Sequence, residues 1–135
     1  MTDRIVGDAS ALVALLVDGG PDGTWAARRL AGADLIAPHL VLFEVANILR
    51  RHERSGTLSP DAVAAAHADL LDLPVELWPY EAVATRAWAL RGNLTAYDAA
   101  YVAVAERSGA TLVTLDRRMA AAPGIRCALA TPPAG

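Results

Sequence analysis

The sequence predicts a three-layer α/β domain, a central parallel β-sheet flanked by helices, and three observations carry that expectation. The 135 residues are 54% hydrophobic and 20% charged, enough for one buried core and too apolar for a disordered chain. Short apolar or β-branched runs alternate with longer helical segments, the pattern of βαβ units whose sheet is covered on both faces. There is no internal repeat and no linker, so residues 1–130 read as a single domain and 131–135, "TPPAG", as a loose tail.

The elements follow in order. "RIVGD" is a short apolar run ending in an acid, "SALVALLVD" reads as a helix, and the turn-rich "DGGPDG" from Asp18 to Gly23 as a loop. "TWAARRLAGA" is a second helix with Gly32 near its end, and "DLIAP" a strand stopped by Pro38. "HLVLFEVANILRRHERSG" is a long helix closed by Gly56. Ser59 then caps "PDAVAAAHADLLD" with Pro60 in the first helical position, and "PVELWP" is a strand fenced by prolines. Tyr80 to Gly92 and Asn93 to Ser108 read as two more helices. "ATLVTLD" reads as a β-branched strand, "RRMAAAPG" as a short helix and "IRCALA" as a last strand.

Composition excludes several classes of function. The net charge is −3 and the pI about 5.5, so the chain lacks the broad basic footprint of a protein that holds nucleic acid mainly by charge. All twelve basic residues are Arg and there is no Lys. The single Cys127 can form neither an internal disulfide nor a thiolate zinc cluster, and reads as a buried small hydrophobe. No apolar run is long enough to span a membrane and "MTDRIVGD" lacks the features of a secretory leader, which predicts a cytosolic protein with no membrane partner.

Four acids stand out. Asp8 and Asp116 each end a predicted strand, so a parallel sheet brings both to its carboxyl edge, where α/β domains form their sites. Each is also well placed as a helix N-cap. Asp98 lies three residues after Thr95, the spacing of a capping box, in "TAYDAAYVAVAE". Glu44 is the most unusual: its helical neighbours Leu40, Val41 and Ile48 place a carboxylate on an apolar stripe. A buried carboxylate is costly unless paired or metal-bound, and four acids gathered on one edge repel one another without a cation. Oxygen-only ligation favours Mg²⁺ or Mn²⁺ over zinc, and His39, His52 and His67 form no metal motif. Ser10 and Thr114, each two residues from a strand-end acid, and Asn47, one turn beyond Glu44, are positioned to support the carboxylates or to serve as ordinary caps and surface.

The segments "IVGDASALVALL", "APHLVLFEVANILRR" and "LTAYDAAYVAVAERSGATLVTLDRRM" resemble, in order and spacing, a PIN-domain ribonuclease of the VapC-like toxin group of type II toxin–antitoxin systems. The resemblance covers essentially the whole chain. It implies that Asp8, Glu44, Asp98 and Asp116 are the acidic positions that hold Mg²⁺ or Mn²⁺, with Asp8 and Asp98 the closest ligands. It further implies metal-assisted hydrolysis of RNA phosphodiester bonds, an antitoxin protein that blocks the acidic pocket, and a homodimer. A catalytically silent PIN-fold binding module, or an RNA-processing nuclease outside any toxin–antitoxin pair, is the alternative.

Arg50, Arg51 and Arg54, with Arg117 and Arg118, are available to RNA phosphate, to an acidic partner or to solvent. Trp25, Trp78 and Trp88 are expected as core or interface filler. Three other folds with strand-end chemistry fail on residues. A receiver domain needs a lysine, a haloacid-dehalogenase phosphatase needs an acid where Ser10 stands, and the Gly-rich signatures of P-loop enzymes and serine hydrolases are missing.

Overall fold

The computed structural model describes residues 3–134 and forms the expected three-layer α/β domain. Five strands, β1 (Arg4–Gly7), β2 (Asp34–Pro38), β3 (Val75–Trp78), β4 (Thr111–Val113) and β5 (Leu129–Ala130), make one sheet in the order β3-β2-β1-β4-β5. Every pairing is parallel, with Val6 opposite Ile36 on one side and Leu112 on the other.

Chirality assigns the helices to faces. The chain steps from β1 to β2 to β3 in one direction, through α1 (Ala9–Val17), α2 (Pro21–Leu30), α3 (Leu40–Arg54) and α4 (Pro60–Asp72). Right-handed crossovers put all four on one face. It then returns over the sheet to β4 and on to β5, which puts α5 (Ala84–Ala89), α6 (Ala96–Ser108) and α7 (Arg117–Ala121) on the other. Packing agrees: α1 and α3 lie against β1 and β2 with α2 and α4 outside them, while α6 crosses β2, β1 and β4 and carries α5 on its back. Covered on both sides, α6 is buried without a break from Ala99 to Ala105.

Several elements differ from the sequence expectation, each for a local reason. The "loop" from Asp18 to Gly23 ends early, because Pro21 at the first helical position starts α2 there. Gly23 is then required, since a Cβ at that position would stand 1.7 Å from the Asp18 carbonyl oxygen. The segment from Tyr80 to Gly92 is not one helix but a single 3₁₀ turn, Tyr80–Ala82, followed by α5. Val83, turned into the core at φ −131° and ψ 9°, breaks it. "IRCALA" contributes only Leu129 and Ala130 to the sheet, because the Arg126 N–H donates instead to the Glu106 carboxylate at 2.8 Å, drawing the chain toward α6. After that strand Arg117 donates to the Pro132 carbonyl at 2.7 Å.

Gly56 follows α3 at φ +76°, as its closing role requires. Cys127 is half-buried rather than fully buried; burial and the Glu106 charge push its thiol up to about 11. Trp25 and Trp78 pack partly against the core, whereas Trp88 is exposed with the Arg91 guanidinium 4.5 Å over its ring. No helix among the described residues is long and apolar enough to cross a membrane.

Candidate functional site

The connections leave β1 toward one face and enter β4 from the other, so the crevice beyond the carboxyl ends of β1 and β4 is the topological switch point of the sheet. Asp8 and Asp116 stand at its two sides, each as a helix N-cap. Asp8 is 5% exposed. Its Oδ1 accepts from the Ala11 N–H at 3.0 Å and from Ser10 Oγ at 2.6 Å, and its Oδ2 accepts from Thr114 Oγ1. The two hydroxyls bind in both directions. Ser10 Oγ accepts from the Leu115 N–H and Thr114 Oγ1 from the Asp116 N–H, each at 3.0 Å, which ties the end of β4 to the head of α1. The Thr114 N–H still donates to the Ala130 carbonyl at 3.1 Å, but the Leu115 and Asp116 N–H groups are spent on side chains, so the sheet pairing of β4 stops short of the end of the predicted "ATLVTLD".

Asp116 caps α7 by accepting from the Arg118 N–H at 2.9 Å, with the exposed Arg118 guanidinium 3.5 Å away. Asp98 sits in the first turn of α6. Thr95 Oγ1 accepts from the Asp98 N–H at 3.1 Å, but the reciprocal bond from the Thr95 N–H to the Asp98 carboxylate is not formed, so the expected capping box is only half made. The Asp98 carboxylate is half-buried, with the charge of Asp116 and the Thr95 side chain both acting on it. Glu44, half-buried on α3, accepts from the Tyr101 hydroxyl at 2.5 Å, which joins α3 to α6 at the same edge. Asn47 is exposed and hydrogen-bonds to none of the four acids.

The electrostatics bring these groups together. Burial pushes the Asp8 carboxyl up; its three hydrogen bonds oppose this and the Asp98 charge adds to it. Burial likewise raises Glu44 against the Tyr101 hydrogen bond, with the charges of Asp98 and Asp8 adding to the rise. Asp98 is raised by burial and then by the charge of Asp116, partly offset by Thr95 and Arg118. Tyr101, buried beside Glu44, is raised as well, so its hydroxyl keeps its proton and remains a donor. No three His, Cys, Asp or Glu side chains among the described residues close around a single point tightly enough to hold an ion by themselves.

Sequence reasoning missed Tyr101 as part of this network. The available signal was a tyrosine one turn after Asp98 within an otherwise apolar helix, since a buried phenol needs a partner. It also left Arg118 unassigned between RNA, partner and solvent; the structure places it against Asp116.

The PIN domain family matches residues 5–125. The chain belongs to the PIN-domain family. This PIN domain is 38% identical over 130 residues, 96% of this chain and 98% of the relative, to VapC ribonuclease Mb0985 of Mycobacterium bovis. That likeness makes it a VapC-like member. Among solved structures it is similar to PAE2754 from Pyrobaculum aerophilum, with a TM-score of 0.66 and 29% identity, covering 95% of this chain and 83% of the other. It also shares its fold with VapBC2 from Rickettsia felis, solved bound to a DNA fragment from their promoter. There the TM-score is 0.67 at 16% identity, covering 95% and 98% of the two chains.

Proposed function

We propose that this PIN domain is a Mg²⁺- or Mn²⁺-dependent endoribonuclease acting as the toxin of a toxin–antitoxin pair. The observation that carries the reading is the set of acidic side chains, Asp8, Glu44, Asp98 and Asp116, delivered to the switch-point crevice by four different elements. Three of them are raised by burial and by each other's charge. Repulsion of this kind is relieved by a divalent cation, and the guanidinium paired with Asp116, that of Arg118, is 95% exposed and neutralises little.

The donor set fits a hard ion. All four side chains offer oxygen, and because they do not close around one point an ion held here keeps part of its water shell, as Mg²⁺ does. Asp8 and Asp98 are the expected closest ligands, with Glu44 and Asp116 beside them. A bound ion supplies a water of lowered pKa and positive charge for the phosphodiester oxygens. Ser10 and Thr114 hold the Asp8 carboxylate in one orientation, Thr114 sets Asp116 relative to it, and Tyr101 does the same for Glu44. The partners of this reading are an antitoxin protein that covers the crevice and a second copy of the chain.

The test is cleavage of structured RNA by the purified protein. Activity is expected with Mg²⁺ or Mn²⁺, to vanish with chelator, and to fall at least ~100-fold in Asp8→Asn and in Asp98→Asn. Metal-independent cleavage, or full activity in those variants, overturns the mechanism. For the toxin role, expression is expected to arrest growth, with relief by a short open reading frame encoded beside it. A harmless chain without such a neighbour makes this an RNA-processing nuclease.

A further inference from the structure

The helix that carries Asp116 at its head, α7, is five residues long, well below the ~12–15 residues at which a helix begins to hold in water by itself. Its position is therefore set from outside. At the near end Thr114 Oγ1 takes the Asp116 N–H, and the Asp116 carboxylate caps the first turn through the Arg118 N–H. Met119 seats the middle in the core. A carboxylate bound to the first turn of α7 moves whenever that helix tilts, so the fastening of the far end bears on the crevice.

The far end is fastened by three side chains, from α5, from α6 and from the loop between them. Just past α7 the chain turns through Gly124, which lies in the left-handed region at φ +88°. Arg86 Nη2 donates to the Gly124 carbonyl at 2.7 Å. The same guanidinium donates to both carboxylate oxygens of Glu106, Nε at 2.7 Å and Nη2 at 3.2 Å. Glu106 also accepts from the Arg126 N–H at 2.8 Å, and Asn93 Nδ2 donates to the Pro123 carbonyl at 3.2 Å. The Arg86 and Glu106 side chains are only 27% and 12% exposed, and their two-pronged bond belongs to a network, unlike the surface pairs that contribute little. Burial pushes the Glu106 carboxyl up, but Arg86 and the Arg126 N–H outweigh this and hold it below the usual carboxylate range, so it stays charged at neutral pH.

Glu106 lies on α6, about two turns beyond Asp98. One buried helix thus carries a site acid in its first turn and, through Glu106 and Arg86, grips the segment that follows the helix of another. We propose that Arg86, Glu106 and Asn93 form a latch that fixes α7 against α6 and so sets the separation of Asp116 and Asp98, whose charges already act on each other. These are positioning residues, which act through α7 rather than by touching ion or RNA. The inference rests on the metal-site reading of the acids.

The experiment uses the full chain carrying Arg86→Met, which keeps the stem and removes the donors, Glu106→Gln, which removes the charge, or Asn93→Ala, which deletes one exposed bond and puts the fold least at risk. In metal-free protein, hydrogen exchange is expected to accelerate about tenfold in residues 117–122 of Arg86→Met and to stay unchanged in α4. Mn²⁺ affinity, read from the free-ion signal in electron paramagnetic resonance, is expected to fall ~3- to 10-fold in Arg86→Met and Glu106→Gln and less in Asn93→Ala. Asp116→Asn keeps the cap and is expected to weaken Mn²⁺ at least ~10-fold. Adding Arg86→Met to it is expected to lower the affinity no further, because the carboxylate that the latch places is gone.

Unchanged exchange in α7, or unchanged Mn²⁺ affinity in Arg86→Met, overturns the latch. So does an affinity loss that persists in full in the Asp116→Asn background, or exchange that accelerates equally in α4, since either assigns the network to general stability. A parent that binds no Mn²⁺ overturns the metal reading and this inference with it, whereas a parent that binds, with variants that bind equally well, overturns the latch alone.

Discussion

Thr114 shows how one hydroxyl decides a site. It is fully buried, donates to Asp8 and accepts from the Asp116 N–H, so it sets two acids at once. Replacing it by valine keeps the shape and removes both bonds. Thr114→Val is expected to lower activity or metal affinity 10- to 100-fold, and to cost ~1–3 kcal/mol of stability because a buried carboxylate loses a donor. Cleavage kinetics and chemical denaturation measure the two. Tyr101→Phe frees Glu44 in the same way and is expected to lower kcat by about tenfold with little change in secondary structure by circular dichroism. Of these partners, Ser10 and Thr114 were visible from their spacing to an acid. Tyr101 was not, because its partner Glu44 lies 57 positions away on another helix.

At the level of elements, caps do structural and positional work together. Thr95 caps the helix that carries Asp98, and Ser59 caps α4 beyond the far end of α3 from Glu44. Thr95→Ala and Ser59→Ala are each expected to cost about 1 kcal/mol of stability, seen as a shift in the urea midpoint. Only Thr95→Ala is expected also to reduce cleavage, by several fold, since Asp98 sits in the turn that frays. Equal activity in the two variants would mean that the placement of Asp98 does not depend on its cap. Element boundaries were read well where a cap or proline marks them, as at Ser59 and Pro60. They were misread where tertiary contacts intervene, as when Val83 turns into the core or Glu106 draws off the Arg126 N–H.

Across the whole molecule, the acids at the crevice oppose the fold that gathers them. Asp8, Glu44 and Asp98 all have folded-state values above the ordinary 3.8 or 4.5. Between those values and the raised ones the folded state binds more protons than the unfolded chain. Their contribution to stability is therefore present below the ordinary carboxylate range and lost as pH rises through the folded-state values. Metal-free protein is expected to lose Tm from this source as pH rises from about 4 toward neutrality. Saturating Mg²⁺ or Mn²⁺ is expected to restore it at neutral pH and to do little at the acidic end, because a protonated carboxyl binds the ion poorly. Differential scanning calorimetry across that range, with and without the ion, checks both; a metal shift independent of pH would count against carboxylate ligation.

The sequence by itself determined the class of fold, the four acids and the family resemblance, because strand and helix periods, caps and short motifs are local and can be read along the chain. Only the tertiary structure decided what holds those acids and what surrounds them. The Asp8–Thr114 and Glu44–Tyr101 bonds join residues 106 and 57 positions apart, and Arg86 bridges Glu106 and Gly124, 20 and 38 positions away. Contacts of that range arise from the order of strands in the sheet and the handedness of its crossovers, which bring separate segments to one edge.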